Sequence, residues 1–315
     1  MRKFTKYFTS ILLIIMLIIV ISFKIKSSIC FDLVKEYSKN KILSSHYDLT
    51  ADFYNIPYKD IESNPMYLDI YKSKYKPSEP SPVIIYVHGG AWTSGSKKIP
   101  NVMIPFLNVL RKNGFSIVSI SYELMDDNIN FNKQICDVKD AIRWVNKNKE
   151  IYNFNCNNIG LVGFSAGAHL SLMASYSDEN EFIDDYELSS YSSNVNYVID
   201  LFGPTDLSTL NPINDYYDFS TVVSNLGETE NIIYEYSPIN HLKENLPSTL
   251  IVHSKSDKLV PYNSNSLSLF ECSSKLNNDI KLVTLDNMEH SLKDISANDI
   301  KKIILNVWLF INSNI

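Results

Sequence analysis

The chain is short of glycine. It has nine in 315 residues, and six of them (Gly89, Gly90, Gly95, Gly160, Gly163 and Gly167) fall in two short stretches. Glycine this concentrated marks backbone that must turn sharply or approach another segment closely. Cysteine is scarce too. Cys30, Cys136, Cys156 and Cys272 have spacings that match neither a zinc site nor a dense disulfide framework, so no metal is implied. The net charge of −6 comes from acidic and basic residues mixed along the chain, which gives no reason to expect a nucleic-acid partner. Internal repeats are lacking. What is present, 45% hydrophobic and 20% charged residues, has the balance of a globular protein with a sizeable core.

One long apolar run stands out. Ile11–Ile21 contains no polar residue, Phe8 and Phe23 extend it, and Arg2, Lys3 and Lys6 precede it. A core helix would be apolar on one side only. With its flanks, residues 7–25, the run approaches the roughly 20 residues that a membrane span needs. Lys24 and Lys26 follow directly and Ser28-Ile29-Cys30 is a poor cleavage signal, so an uncleaved signal anchor is favoured over a cleaved signal peptide. The basic residues before the run favour a cytoplasmic N-terminus. The expected organisation is a transmembrane signal anchor at 1–26, a polar, tyrosine-rich juxtamembrane stretch at 27–60, and a globular domain at 61–315. That predicts a single-pass protein of the cell membrane with its domain outside the cytoplasm, the alternative being secretion after cleavage.

Beyond residue 60, strands and helices alternate. Strands are predicted at 66–72, 83–88, 115–122, 158–164, 196–203, 249–254 and 280–286. Helices are predicted at 104–114, 131–150, after Ser165, and at 297–312. In the second helix Phe131, Ile135, Val138, Ile142 and Val145 recur at spacings of four, three, four and three, one face of an amphipathic helix. The run 83–88 is apolar throughout, as in a strand buried on both faces. This alternation predicts an α/β fold with a mostly parallel sheet covered on both sides. Residues 204–247 break it and, with Tyr216, Tyr217 and Phe219, are expected to form a small lid above the strand ends.

The second glycine cluster is Gly163-Phe164-Ser165-Ala166-Gly167, where an apolar run meets a run of small residues. One reading is that two glycines end a strand and the serine caps a helix. The other is a nucleophile elbow, in which the serine sits on a tight strand-to-helix turn with its hydroxyl lifted clear. A serine nucleophile needs a histidine base and an acid that orients it, in the chain order serine, acid, histidine for a doubly wound hydrolase. His46 and His88 precede the serine, His169 lies one turn into its helix and faces away, and His253 falls within a strand. His290, in the loop after the last strand, meets both requirements. For the acid, Asp257 in the loop after strand 249–254 is favoured. Asp206 is the alternative, with a helix-capping role as its structural reading. Asp286 is too close to His290 in sequence. The first glycine cluster follows strand 83–88, where the backbone N–H groups of Gly90 and Ala91, with that of Ala166, are candidates for an oxyanion hole. His88 is assigned a structural role in that loop.

With these residues in view, the sequence resembles the α/β-hydrolase superfamily, and within it the hormone-sensitive-lipase-like branch of bacterial feruloyl- and acetyl-esterase-like proteins. The resemblance runs from Met66 to the C-terminus through VIIYVHGGAW, FSIVSISYEL, DVKDAIRWV, IGLVGFSAGAHL, FGPTDL, SPINHL, SDKLVPY and MEHS. It departs at Tyr122-Glu123-Leu124, where the family usually has Tyr-Arg-Leu, and at His253-Ser254, where it usually has His-Gly. The resemblance implies a serine carboxylic-ester hydrolase acting on a small ester such as an acetylated sugar, without cofactor or metal. Rival expectations are an arylformamidase-like amidohydrolase and a catalytically inactive, membrane-anchored binding module.

Overall fold

The computed structural model describes residues 50–315 apart from 62–63, 77, 102, 127, 211–220, 225–229 and 291–294. The apolar segment 7–25, Cys30, His46 and the lid aromatics Tyr216, Tyr217 and Phe219 lie outside the described residues. Among the described residues no helix is long and apolar enough to cross a membrane.

The strands are β1 (Phe53–Ile61), β2 (Asn64–Tyr71), β3 (Ser81–Val87), β4 (Ser116–Ile120), β5 (Phe154–Phe164), β6 (Tyr197–Leu201), β7 (Ser248–Ser254) and β8 (Ile280–Leu285). The helices are α1 (Ile104–Lys112), α2 (Phe131–Lys147), α3 (Lys149–Tyr152), α4 (Ala166–Tyr176), α5 (Glu230–Glu235), α6 (Ser268–Lys275) and α7 (Ala297–Ser313). One sheet runs β1-β2-β4-β3-β5-β6-β7-β8. β2 is antiparallel to both its neighbours, and every pair from β4 across to β8 is parallel.

Strand chemistry explains the two layers. Val83, Ile85 and Val87 face one side of β3 and Ile84 and Tyr86 the other, all of them buried. The first set packs with α2 and α4, the second with α1 and α7. In α2, Phe131, Ile135, Val138, Ile142 and Val145 are all buried, and the Asn130 side chain accepts from the Lys133 N–H at its start. α7 begins where the Ser296 side chain accepts from the Asp299 N–H, which satisfies one of the orphan donors of its first turn.

The sheet begins earlier than residue 61. β1 lies inside the stretch expected to be juxtamembrane, and it pairs with β2. Its register shifts twice, between Phe53 and Ile56 and between Pro57 and Lys59, so no clean period of two survives in its sequence. Long-range polar contacts tie it down. The Tyr58 hydroxyl donates to the Ser121 carbonyl at 2.7 Å, and Lys59 Nζ, almost wholly buried, lies 2.7, 2.9 and 2.8 Å from carboxylate oxygens of Asp137, Asp140 and Asp184. Helix 131–150 is divided at Asn148 into α2 and α3. β5 starts four residues before 158, across a register irregularity opposite Pro82 and Val83. Cys136 and Cys156 are free thiols.

The topology places the site. β3 and β5 are neighbours, yet the chain leaves β3 toward β4 on one side and β5 toward β6 on the other. At such a reversal the loops leaving the two carboxyl ends diverge and open a crevice. The two glycine clusters sit at those carboxyl ends.

Candidate active site

Ser165 occupies the single residue between β5 and α4, at φ 53° and ψ −120°. A non-glycine residue rarely adopts positive φ, and where one does the surroundings must hold it there. Here the Ser165 N–H donates to the Leu201 carbonyl at 2.8 Å, while the Ser165 carbonyl accepts from Ala168 and His169 at 2.9 and 3.1 Å. The flanking glycines are required by contact. A Cβ on Gly163 would sit 2.3 Å from the Gly167 carbonyl oxygen and 2.4 Å from Ala168 Cα. A Cβ on Gly167 would sit 2.2 Å from the Val87 carbonyl oxygen and 2.3 Å from that of His88. The first glycine lets α4 fold back on β5, and the second lets α4 touch the end of β3. These close contacts require glycine on both sides of Ser165, and the second brings the two glycine clusters together.

Two further loops reach the elbow. Ser165 Oγ lies 2.7 Å from His290 Nε2, and His290 Nδ1 lies 2.6 Å from Asp257 Oδ2. A carboxylate can only accept, so Nδ1 carries the proton and Nε2 is left to take one from the serine hydroxyl. Asp257 Oδ1 accepts from the Leu259 and Val260 N–H groups at 2.9 and 3.0 Å. Burial pushes the Asp257 carboxyl up, but hydrogen bonds from His253 and His290 outweigh this and hold it well below the usual carboxylate range. Asp206 stands elsewhere. Its carboxylate caps the short turn Leu207–Thr209, accepting from the Ser208 N–H at 3.0 Å and the Ser208 hydroxyl at 2.6 Å.

The loop after β3 carries Gly90 at φ 133°, Ala91 at 49° and Trp92 at 64°, three successive residues in left-handed backbone. A Cβ on Gly89 would meet the Phe164 carbonyl oxygen at 2.7 Å and Ser165 Cβ at 3.4 Å, so this loop lies directly against the elbow. Ala166 follows Ser165 as the first residue of α4, where backbone N–H groups have no partner inside the helix. Buried side chains hold the loop. The Tyr122 hydroxyl donates to the His88 carbonyl at 3.0 Å, and the two rings stack at 4.1 Å. His88 Nδ1 donates to the Gly89 carbonyl at 2.8 Å, and burial lowers the imidazole to about 4, which keeps it neutral. Gln134 Nε2 donates to the Trp92 carbonyl at 2.9 Å.

Two histidines do more than sequence reasoning assigned them. His169, wholly buried, accepts from Trp92 Nε1 at 3.1 Å through Nδ1 and donates to the Tyr236 carbonyl at 2.7 Å through Nε2. It locks the loop tryptophan to the nucleophile helix, and burial lowers it to about 4. His253 reaches the same Asp257 oxygen as His290, at 3.0 Å. The signal for this contact was its spacing of four before Asp257. Among the described residues no group of three or more His, Cys, Asp or Glu is arranged to hold a metal ion.

The sequence matches the BD-FAE family over residues 68–271, a span that takes in Ser165 and Asp257. It is 28% identical over 199 residues to esterase LipC of Mycobacterium tuberculosis, which covers 62% of this chain and 49% of that protein. The chain spans about half the length, or less, of the curated relatives it matches. Among solved structures, a butyrate-bound thermophilic esterase of Thermogutta terrifontis superposes with a TM-score of 0.66 at 24% identity, covering 81% of this chain and 92% of that one. A truncated carbohydrate esterase from gut microbiota superposes with a TM-score of 0.66 at 25% identity, covering 84% and 99%. The sheet order and these superpositions identify the architecture as the α/β-hydrolase fold.

Proposed function

The chain belongs to the BD-FAE family, and from that premise we propose that it is a serine carboxylesterase that cleaves small, short-acyl esters through an acyl-enzyme on Ser165. The observation that carries this reading is the unbroken relay Ser165–His290–Asp257, with links of 2.7 and 2.6 Å, beside a left-handed loop at the sheet's switch point. Ser165 Oγ attacks the ester carbonyl carbon as His290 Nε2 takes its proton. The carbonyl oxygen, now negative, meets the N–H groups of Gly90, Ala91 and Ala166, donors that contribute roughly 3–4 kcal/mol each in comparable sites. Collapse of the tetrahedral intermediate breaks the ester C–O bond, and the leaving alcohol takes the proton from His290. Water then attacks the acyl-enzyme, gives its proton to His290, and the carboxylic acid departs as Ser165 is reprotonated. Asp257 orients the imidazole and stabilises its charged form.

The names of relatives support a choice of substrate. A carbohydrate esterase and a butyrate-bound esterase share the fold, so the acyl groups offered first are acetyl to butyryl, on p-nitrophenol and on acetylated sugars. Turnover of p-nitrophenyl acetate that falls with acyl length, with no hydrolysis of N-formylkynurenine, is the expected result. The reverse preference would make the chain an arylformamidase-like amidohydrolase, and no turnover of either would make it a binding module.

The reading includes a membrane anchor at residues 7–25 with the catalytic domain outside the cytoplasm. The apolar run Ile11–Ile21, the basic residues before it and the poor cleavage context support retention. Mass spectrometry of the native protein is expected to find the N-terminal peptide in the membrane fraction. A new N-terminus near residues 27–31 with soluble activity would instead mean secretion.

A further inference from the structure

Asp257 is held from both sides. Oδ1 receives the backbone N–H groups of Leu259 and Val260. Oδ2 receives His290 Nδ1 at 2.6 Å and, from the opposite direction, His253 Nε2 at 3.0 Å. A carboxylate offers about four lone-pair directions, and all four are taken here by named donors. His253 is wholly buried in β7, and its tautomer follows from its partners. Nε2 faces two groups that can only accept, Asp257 Oδ2 and the Val260 carbonyl at 3.1 Å, so Nε2 carries the proton. Nδ1 is then an acceptor, and the buried Ser266 hydroxyl donates to it. The order Ser266, His253, Asp257, His290, Ser165 places a hydroxyl and an imidazole on each side of one carboxylate.

We propose that His253, held by Ser266, is a positioning residue for the reaction: its N–H fixes the Asp257 carboxylate in the plane that His290 needs and draws charge from the oxygen that His290 shares. The proposal rests on the reading of Ser165, His290 and Asp257 given above. His253 touches no reacting atom, so its effect must pass through Asp257. The other groups around the pair are few. Tyr262 stands edge-on to the His253 ring at 6.0 Å, and the Phe202 ring lies 5.4 Å from it. Phe164 and Phe202 flank His290 at 5.9 and 6.1 Å. The charged pair nearest in sequence, Lys258 with Glu289, is exposed, with 3.5 Å between its charges. Among the described residues, Asp257 is the one ionisable side chain that hydrogen-bonds His253 or His290.

Removing the donor leaves more negative charge on Oδ2 facing His290, which favours the imidazolium. The acidic limb of activity must then move to higher pH. A hydrogen bond to a charged group sets the scale, and the expected shift is about one pH unit. The test uses the full-length chain and its His253→Phe and His253→Gln variants. The first keeps a ring without a donor, and the second restores an N–H at the Nε2 position. Two readouts are followed from pH 4 to 9: hydrolysis of p-nitrophenyl acetate, and the second-order rate of labelling by a fluorophosphonate, with rates per active site. For His253→Phe, we expect kcat to fall about tenfold with KM within about twofold, consistent with loss of one charge-assisted hydrogen bond, and the limb to shift upward in both readouts. His253→Gln is expected to lie within about threefold of the parent, with its limb near the parent's, because the donor is restored. If His253→Phe does not fold, His253→Leu is read in its place. An apolar variant with the parent's limb and rate overturns the proposal, and so does a Gln variant as impaired as Phe with neither limb moved, which would mean packing alone. A parent that labels but hydrolyses no ester refutes the esterase reading while the labelling profile still decides the role of His253. A parent that does not label refutes both.

Discussion

Gly167→Ala tests how the nucleophile elbow and the loop after β3 are joined. The added methyl would lie 2.2 Å from the Val87 carbonyl oxygen and 2.3 Å from that of His88, about an ångström inside ordinary contact. Both obstacles are backbone, so no side-chain rotation relieves them. α4 and β3 must separate by roughly that distance, carrying Ser165 and Ala166 away from Gly90 and Ala91. A misplacement of about 1 Å in a reacting group costs on the order of 100-fold in rate, and overpacking of this kind costs about 1–3 kcal/mol of stability. Gly89→Ala is a graded companion, since its methyl meets the Phe164 carbonyl oxygen at 2.7 Å and needs a smaller displacement. The assay is kcat/KM for p-nitrophenyl acetate on purified, folded protein, with urea unfolding alongside. The expected order of loss is Gly167→Ala greater than Gly89→Ala, both exceeding what the lost stability explains. A Gly167→Ala enzyme with the parent's kcat/KM would refute the claim that this contact sets the site's geometry.

Asp257→Asn is expected to lower kcat by about 10⁴-fold, the scale set when a triad loses its orienting carboxylate. Asp206→Asn, whose side chain can still cap its turn, keeps most of the activity, and the reverse pattern would transfer the acid's role to Asp206. Burial raises the Asp200 carboxyl to about 7, against a lowering by the Gly203 N–H. The folded state therefore binds that proton more tightly than the unfolded chain, and the associated stability is full below about pH 4 and declines as pH rises toward 7, by at most about 1.4 kcal/mol per unit. Asp200→Asn should flatten this decline in urea titrations from pH 4 to 8, and a constant offset from the parent would contradict it. Lys59→Met leaves Asp137 and Asp140 buried without their shared ammonium, and a loss of about 3–5 kcal/mol is expected. A change below 1 kcal/mol, measured by urea unfolding, would mean that the cluster is not held as described.

The parallel sheet was legible because its strands are apolar on both faces, so 83–88 and 249–254 read as continuous runs. α2 was legible because its five inward residues keep a helical period. β1 was hidden because it is an edge strand with two register shifts, and Lys59 looks like surface until Asp137, Asp140 and Asp184 surround it. In the site, chain order and loop position pointed to Ser165, Asp257 and His290, and hydrogen bonds link Ser165 to His290 and His290 to Asp257. The contact of His253 with Asp257 was foreshadowed only by their spacing of four, and which carboxylate oxygen it reaches follows from the turn that ends β7, where the Asp257 N–H donates to the Ser254 carbonyl. The bond between Trp92 and His169 likewise joins residues 77 positions apart and follows only from the packing of α4 on the end of β3.

The most direct test of the central claim is mass spectrometry of the protein after fluorophosphonate treatment, read with ester hydrolysis on the same sample. One adduct is expected, on the peptide carrying Ser165, with activity lost in proportion to labelling and with neither label nor turnover in a folded Ser165→Ala variant. Undiminished hydrolysis in that variant, or complete inactivation by an adduct elsewhere on the chain, would contradict it.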